Sequence, residues 1–318
     1  RSPIIAGSCG LTSDVEKMVE MEKAGVGAVV LKSIFEEQIN EETSGVFKAG
    51  YGMGDAYPEA EDYIKAYIRS NTIQKYVELV RNAKSRLTIP VIASVNCFSG
   101  GEWVSFARQL EEAGADALEL NVFILPVNEF KESAEVENVY FEIVKSIKSQ
   151  IKIPVSVKIS HYFTNLSAFV DKIKAYGANA TTLFNRFYEP DININTLEMG
   201  AASVFSTAAE LRTTLRWTGI LAGKDKKLEI SASTGVHGGE AAVKLLLAGA
   251  TTVQVCSVLY EKGIHVIEDI NNFIGKWMDS KAFKTIEDYR GMLSYSSIEN
   301  PDLYERAQFM KYFSNKQY

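Results

Sequence analysis

Residues 111–122 read EEAGADALELNV, a charged helical end, a glycine turn and then an apolar strand. The same sentence returns in EKAGVGAVVLKS (22–33), KAYGANATTLFN (174–185) and LLAGATTVQVCS (246–257). In each, Gly25, Gly114, Gly177 or Gly249 stands where a helix ends in a left-handed cap, a conformation that costs glycine little. Between them lie apolar strands entered through proline, SPIIAGS (2–8), IPVIASVN (89–96) and IPVSVKIS (153–160). One more, LEISAST (228–234), follows the basic run KDKK (224–227). About eight strands separated by helices, in strict alternation, predict an α/β chain closed as a (β/α)8 TIM barrel. An open doubly wound sheet has the same periodicity, but no GxGxxG follows the first strand, where a dinucleotide fold requires it.

The chain has 318 residues with 46% hydrophobic content, enough for one large core. No linker or composition break divides it, so residues 1–318 are read as one barrel domain. A long segment at about 35–72, holding GYGMGDAYPEAEDY (50–63), reads as an insertion, and the tail at about 281–318 as amphipathic helix. The net charge is −6 and the pI about 5.4, which speaks against nucleic acid as a partner. The 3 cysteines are scattered, so neither a disulfide framework, a metal site nor an iron–sulfur centre is expected, and a cytoplasmic setting is. No stretch reaches the roughly 20 apolar residues that would cross a bilayer.

Strand alternation sorts the polar residues. In IPVSVKIS, Val155, Val157 and Ile159 share the face toward the helices, which turns Lys158 into the barrel. The same logic, more weakly, turns Lys32 inward, and it gathers Asn96, Glu119, Asn121 and Asn185 at the strand ends. Two buried lysines would each cost on the order of several kcal/mol unless they met negative charge, so either Glu119 offsets one or an electron-rich ligand covers them. Side-chain amides at that place suit the mixed donor and acceptor edge of a heteroaromatic ring. The turns in SASTGVHGGEAAVKLL (231–246) and VCSVLYEKG (255–263) follow the last two strands, where barrels often hold a phosphate on backbone N–H groups. Thr234, Gly235, Cys256 and Ser257 would be its donors, with His237 nearby.

Together these residues resemble the class 1 dihydroorotate dehydrogenase family of FMN-dependent barrels. PIIAGSCG (3–10), AVVLKS (28–33), ALELN (117–121), VSVKIS (155–160), STGV (233–236) and VQVCS (253–257) carry the resemblance over most of the chain. LKSIFEEQI (31–39), FNRFYEPDI (184–192) and ELRTTLRW (210–217) are similar to a dehydrogenase-like branch of that family. The resemblance implies FMN as cofactor, with Ala6 and Gly7 close to the flavin ring and Lys32, Ser33, Asn121 and Lys158 bonding it. It implies that Thr234, Gly235, Cys256 and Ser257 hold the phosphate. Asn96 and Asn185 match polar positions on the substrate side, Asn96 also counting with the cofactor residues and Lys158, Asn121 and Asn185 with the chemistry. It implies a small-molecule substrate, a homodimer and an electron-transfer partner protein.

The departures bear on the substrate. Where family members that oxidise dihydroorotate carry a catalytic cysteine after the fourth strand, or a serine base from a nearby position, this chain has NVFILP (121–126), with Ile124 in the place of the cysteine. The substrate-binding stretch is altered to YGMGDAY (51–57), and the Gly-rich segment before the seventh strand is SVFST (203–207). Cys97, Ser99 and His161, just past strand ends, are the remaining acid or base candidates. The expected function is therefore an FMN-dependent oxidoreductase acting on CH–CH bonds of a small substrate other than dihydroorotate, by hydride transfer at flavin N5. A flavin-free lyase or aldolase using Lys158 as a Schiff base, and an FMN-binding protein without chemistry, remain open alternatives.

Overall fold

Each apolar run becomes a strand that is buried over most of its length, as parallel strands covered by helices are. The computed structural model describes residues 2–35, 58–96, 100–122, 124–186 and 189–305, and not the side chains of 58–70 and 100–103. Its strands form a closed parallel barrel of 8 strands with surrounding helices, so the fold is the expected (β/α)8 barrel. The chain separates into two compact units, Ile5–Ala180 and a second made of Arg1–Ile4 with Thr181–Tyr318.

In the first unit, β1 (Ile4–Ala6) pairs in parallel with β2 (Ala28–Val30), Ile5 opposite Ala28. β2 pairs with β4 (Val91–Asn96), β4 with β5 (Ala117–Asn121), and β5 with β6 (Val155–Ile159). A short β3 (Ile34–Phe35) pairs with the end of β4. The helices are α1 (Val15–Lys23), α2 (Pro58–Arg86), α3 (Gly100–Glu112), α4 (Ser133–Lys148) and α5 (Leu166–Ala175). Their starts follow from local chemistry: the Asp14 carboxylate accepts from Glu16 N at 2.9 Å and Lys17 N at 3.4 Å, and Asn165 accepts from Ala168 N at 3.1 Å. Each such cap stabilises by about 0.5–2 kcal/mol. Met18, Met21, Leu110, Ile147 and Phe169 are buried, each apolar side chain contributing about 1.5–3 kcal/mol by leaving water.

In the second unit, β7 (Ala180–Leu183), β10 (Glu229–Ala232) and β11 (Thr252–Val255) are the barrel strands, with Ser231 opposite Thr252. The helices are α6 (Leu211–Lys224), α7 (Gly239–Ala248), α8 (Ser257–Lys262), α9 (Val266–Lys281) and α10 (Asp302–Glu305). A hairpin that the sequence reading did not anticipate, β8 (Pro190–Asn193) with β9 (Glu198–Ala201), stands outside the barrel sheet. Its register sets Ile192 opposite Met199 and Asp191 opposite Gly200. One face is therefore apolar and the other polar, and Ile192, Ile194, Leu197 and Met199 are all at least 60% exposed.

Of the segment expected as an insertion at 35–72, residues from Pro58 onward belong to α2, while 36–57 lie outside the described residues. The tail expected as helix from 281 departs from that expectation over 282–301, which are mostly turns. Ala282 caps α9 in the left-handed conformation, Gly291 has φ +73°, and Pro301 follows, so the backbone cannot stay helical.

All four repeat glycines have positive φ, from +89° at Gly25 to +119° at Gly249. Space differs between them. A Cβ on Gly249 would stand 2.4 Å from the Ala222 Cβ, whereas one on Gly114 would meet nothing nearer than the Lys84 Cγ at 3.6 Å. Gly114→Ala should lose only the left-handed backbone term, about 1–2 kcal/mol. Gly249→Ala should lose that and the cost of overlap besides. Urea denaturation of both variants checks this, and equal losses would refute the steric account.

Candidate active site

The first unit carries a buried ionic and amide cluster. Lys158 lies on β6 beside Asn121 of β5, and Ser156 beside Glu119. The Lys158 side chain is 9% exposed and its Nζ stands 3.7 Å from Oε1 of Glu119, which is 1% exposed. This is the inward lysine that alternation predicts, with the carboxylate that offsets it. Asn121 is buried, as are Ala6, Gly7 and Ser33. Asn96 is buried too, and its Oδ1 meets no hydrogen-bond donor among the described residues. Leaving a buried acceptor unmet costs about 1–3 kcal/mol, a cost that a donor on a bound molecule would remove.

Lys32 departs from the expected pair of buried lysines. β2 ends at Val30, so Lys32 lies past the alternating stretch; its N–H donates to Thr12 O at 3.3 Å and its side chain is exposed. The buried neighbour is instead Ser33. Its hydroxyl stands 3.0 Å from that of Ser8 and 2.6 Å from that of Ser94, forming a chain of three hydroxyls. Ser94 is held in turn by Tyr76, whose hydroxyl donates to Ser94 O and accepts from Ser94 N, both at 2.9 Å. Burial pushes the Tyr76 phenol well above its usual pKa, so it stays neutral and can do both. Strand alternation sets Ser94 on the same face as Asn96, whereas Ser8 and Tyr76, outside the alternating stretches, give no such signal.

The apolar loop after β5 is only partly buried. Val122 is buried, but Leu125 is 50%, Val127 77% and Phe130 86% exposed. Ile124 and Pro126 line an open cavity of about 320 Å³ together with Asn128, Glu129, Lys131, Tyr140 and Phe163. Tyr140 anchors the loop: its ring is edge-on to Phe163 at 5.6 Å and to Phe169 at 5.2 Å, and its hydroxyl bonds the Ile124 backbone. Burial pushes that phenol up to about 12. His161 is exposed, and Cys97, Ser99 and Phe123 lie outside the described residues, as does YGMGDAY.

The second unit carries a cluster of donors on the turns after β10 and β11. Thr234 and Gly235 follow one another with φ +82° and +79°. A β-branched residue there is strained, and its hydroxyl compensates by donating to Phe184 O at 3.1 Å. That hydroxyl is thus occupied, leaving Thr234 only its backbone for a ligand. A Cβ on Gly235 would meet the Leu211 N at 2.2 Å, so this glycine is required by packing against the chain rather than by room for a ligand. The Ser257 hydroxyl accepts from Ser206 N at 2.9 Å and the Ser206 hydroxyl accepts from Gly235 N at 3.4 Å. Ser206 lies in SVFST, which sequence reading judged a reduced remnant. His237 is fixed rather than loose, 3.2 Å from Ser206 Oγ through Nε2 and 3.1 Å from Glu261 Oε2 through Nδ1. Cys256 and Asn185 are half-buried.

Removing one member of a buried pair strands the other. Lys158→Met should cost about 3–5 kcal/mol because it leaves Glu119 buried without its ion-pair partner. Lys158→Met with Glu119→Gln should cost less than the single change, as residues in contact are not additive. Chemical denaturation of the single and double variants checks this; a double variant weaker than the single one would show that the two do not interact.

Three comparisons of sequence bear on identity. The family model for dihydroorotate dehydrogenase matches residues 2–278. The chain is 29% identical over 297 residues to a Thermoplasma acidophilum protein named dihydroorotate dehydrogenase B (NAD(+)), catalytic subunit, covering 92% of this chain and 94% of that one. It is 26% identical over 310 residues to the protein of the same name from Pyrococcus furiosus, with the same 92% and 94% coverage. No helix among the described residues is long and apolar enough to cross a membrane. The chain belongs to the dihydroorotate dehydrogenase family, and is an oxidoreductase of that type.

Proposed function

We propose that the protein is an FMN-dependent oxidoreductase that acts on a CH–CH bond of a small substrate other than dihydroorotate. Bound flavin would supply hydride acceptance at N5. The observation that carries the cofactor reading is the unmet acceptor of Asn96 in the same unit as buried Lys158 and Asn121. An amide acceptor, an amide and a cation fit a ring edge of mixed donors and acceptors. The reading assigns the ring to Ala6, Gly7, Ser33, Asn96, Asn121 and Lys158, with Lys32 at the exposed margin. It assigns the phosphate to Gly235, Ser257 and the backbone of Thr234 and Cys256. Asn185 is assigned to the substrate side.

The substrate reading rests on the loop after β5. By the resemblance Ile124 occupies the place of the catalytic cysteine, and neither Ile124 nor Pro126 can take or give a proton. Instead they supply the apolar part of a cavity whose lining also carries Asn128, Glu129, Lys131 and Glu137. A general base is typically worth about 10²–10⁴ in rate. The flavin-loaded protein mixed anaerobically with dihydroorotate should therefore show no bleaching over many minutes, while dithionite bleaches it at once. Bleaching by dihydroorotate within seconds would sink the substrate reading, and a colourless protein that takes up no FMN would sink the cofactor reading.

The reading extends to partners and setting. The relatives' names specify a catalytic subunit and NAD(+), which supports an electron-transfer partner protein for this chain, and the scattered cysteines suit a cytoplasmic setting. The apolar face of the β8–β9 hairpin supports a homodimer. A two-stranded hairpin is marginal in water on its own, and an apolar face free of charge meets no repulsion from its twofold copy. Met199→Lys should lower the mass measured by light scattering from dimer toward monomer. An unchanged mass would place any dimer contact elsewhere.

A further inference from the structure

We infer that His237, oriented by Glu261, is a positioning residue of the phosphate site. It acts through Ser206, which turns its hydroxyl proton toward the anion. The inference rests on the FMN reading above and adds three side chains to it, none of which that reading uses.

Proton counting carries the argument. Glu261 as a carboxylate can only accept, so the proton between it and His237 sits on Nδ1, 3.1 Å away. The other ring nitrogen, Nε2, faces the Ser206 hydroxyl at 3.2 Å. That hydroxyl also stands 3.2 Å from the Ser257 hydroxyl and 3.4 Å from Gly235 N. Ser206 is 7% exposed, so water cannot freely complete its bonding. It owns one proton. The Ser206 hydroxyl is the donor to Ser257 at 3.2 Å, and if His237 is neutral its bare Nε2 competes with Ser257 for that one proton. If His237 carries both ring protons, Nε2 donates to Ser206, and the serine proton is released toward whatever lies beside Ser257 and Gly235.

A phosphate accepts on every side, so it selects the second arrangement. Ser257 and Ser206 can then both donate to it, with the Gly235 N–H holding the Ser206 hydroxyl in place. The charged groups facing His237 are the Glu261 carboxylate and Lys262, whose Nζ donates to His237 O at 3.0 Å. Both suit the arrangement: the carboxylate accepts the Nδ1 proton, and the ammonium closes the turn that carries the ring. Cofactor lacking the phosphate gains nothing from any of this.

The test is a titration of apo-protein with FMN and, separately, with riboflavin, followed by flavin fluorescence quenching. His237→Gln should weaken FMN binding by about tenfold or more, the usual worth of a hydrogen bond to a charged group, and leave riboflavin binding unchanged. Glu261→Gln should weaken FMN in the same direction by less. Riboflavin binding reports that each variant is folded. Equal weakening of both ligands, or none of either, in a protein whose wild type prefers FMN would overturn the role of His237 alone. A wild type that binds FMN no better than riboflavin would overturn the phosphate site itself, and this inference with it.

Discussion

A lysine that is 9% exposed on a strand paired along its edge must find negative charge, or lose hydration worth several kcal/mol without return. Glu119 supplies the charge from the neighbouring strand, but at 3.7 Å the contact is an ion pair rather than a close bidentate bond. Such a pair rarely repays its own desolvation. A core of apolar residues in the same volume would serve stability at least as well. The pair therefore makes sense as a standing charge held ready for a ligand, and the neighbouring polar groups agree with that. Asn121 lies beside Lys158 in register, and Asn96 has an acceptor that no described group meets.

The hydroxyl chain of Ser8, Ser33 and Ser94 is the other half of the same constraint. Small polar residues leave space at the strand ends and can turn their protons either way, so they adapt to a ligand where a lysine cannot. Tyr76 makes this possible at low cost by bonding both backbone groups of Ser94. Tyr140 plays the corresponding part for the loop after β5, pinning Ile124 while Leu125, Val127 and Phe130 remain in water. The rigid groups thus lie on helices and strands, and the exposed ones on the loop between.

The barrel was legible because its signal is periodic. Four glycines at helix ends and a run of proline-entered strands repeat, and the structure gives all four glycines the positive φ that the repeat requires. Lys158 was legible because its strand is long enough to alternate; Lys32 was misjudged because β2 stops at Val30, two residues short of it. The hairpin was missed for the opposite reason. PDIN and EMGA are too short and too rich in turn residues to read as strands, and only their pairing reveals that Ile192 and Met199 share a face. Helix was expected in the tail from composition, where a glycine and a proline in fact break it.

The turns after β10 and β11 show where spacing ends and chemistry begins. STGV and VCS at strand ends are visible in sequence, and so is the glycine that a left-handed turn demands. Nothing in the sequence joins His237 to Ser206, 31 residues away, or to Glu261, 24 away. A single histidine in a glycine-rich loop reads as solvated, because only three-dimensional placement shows that one ring nitrogen faces a carboxylate and the other a buried hydroxyl. The direction of a proton between two groups depends on what its neighbours can accept. That is a property of the assembled turns, and residue types alone do not encode it. A serine read as the remnant of a lost glycine-rich segment thereby becomes the centre of the cluster.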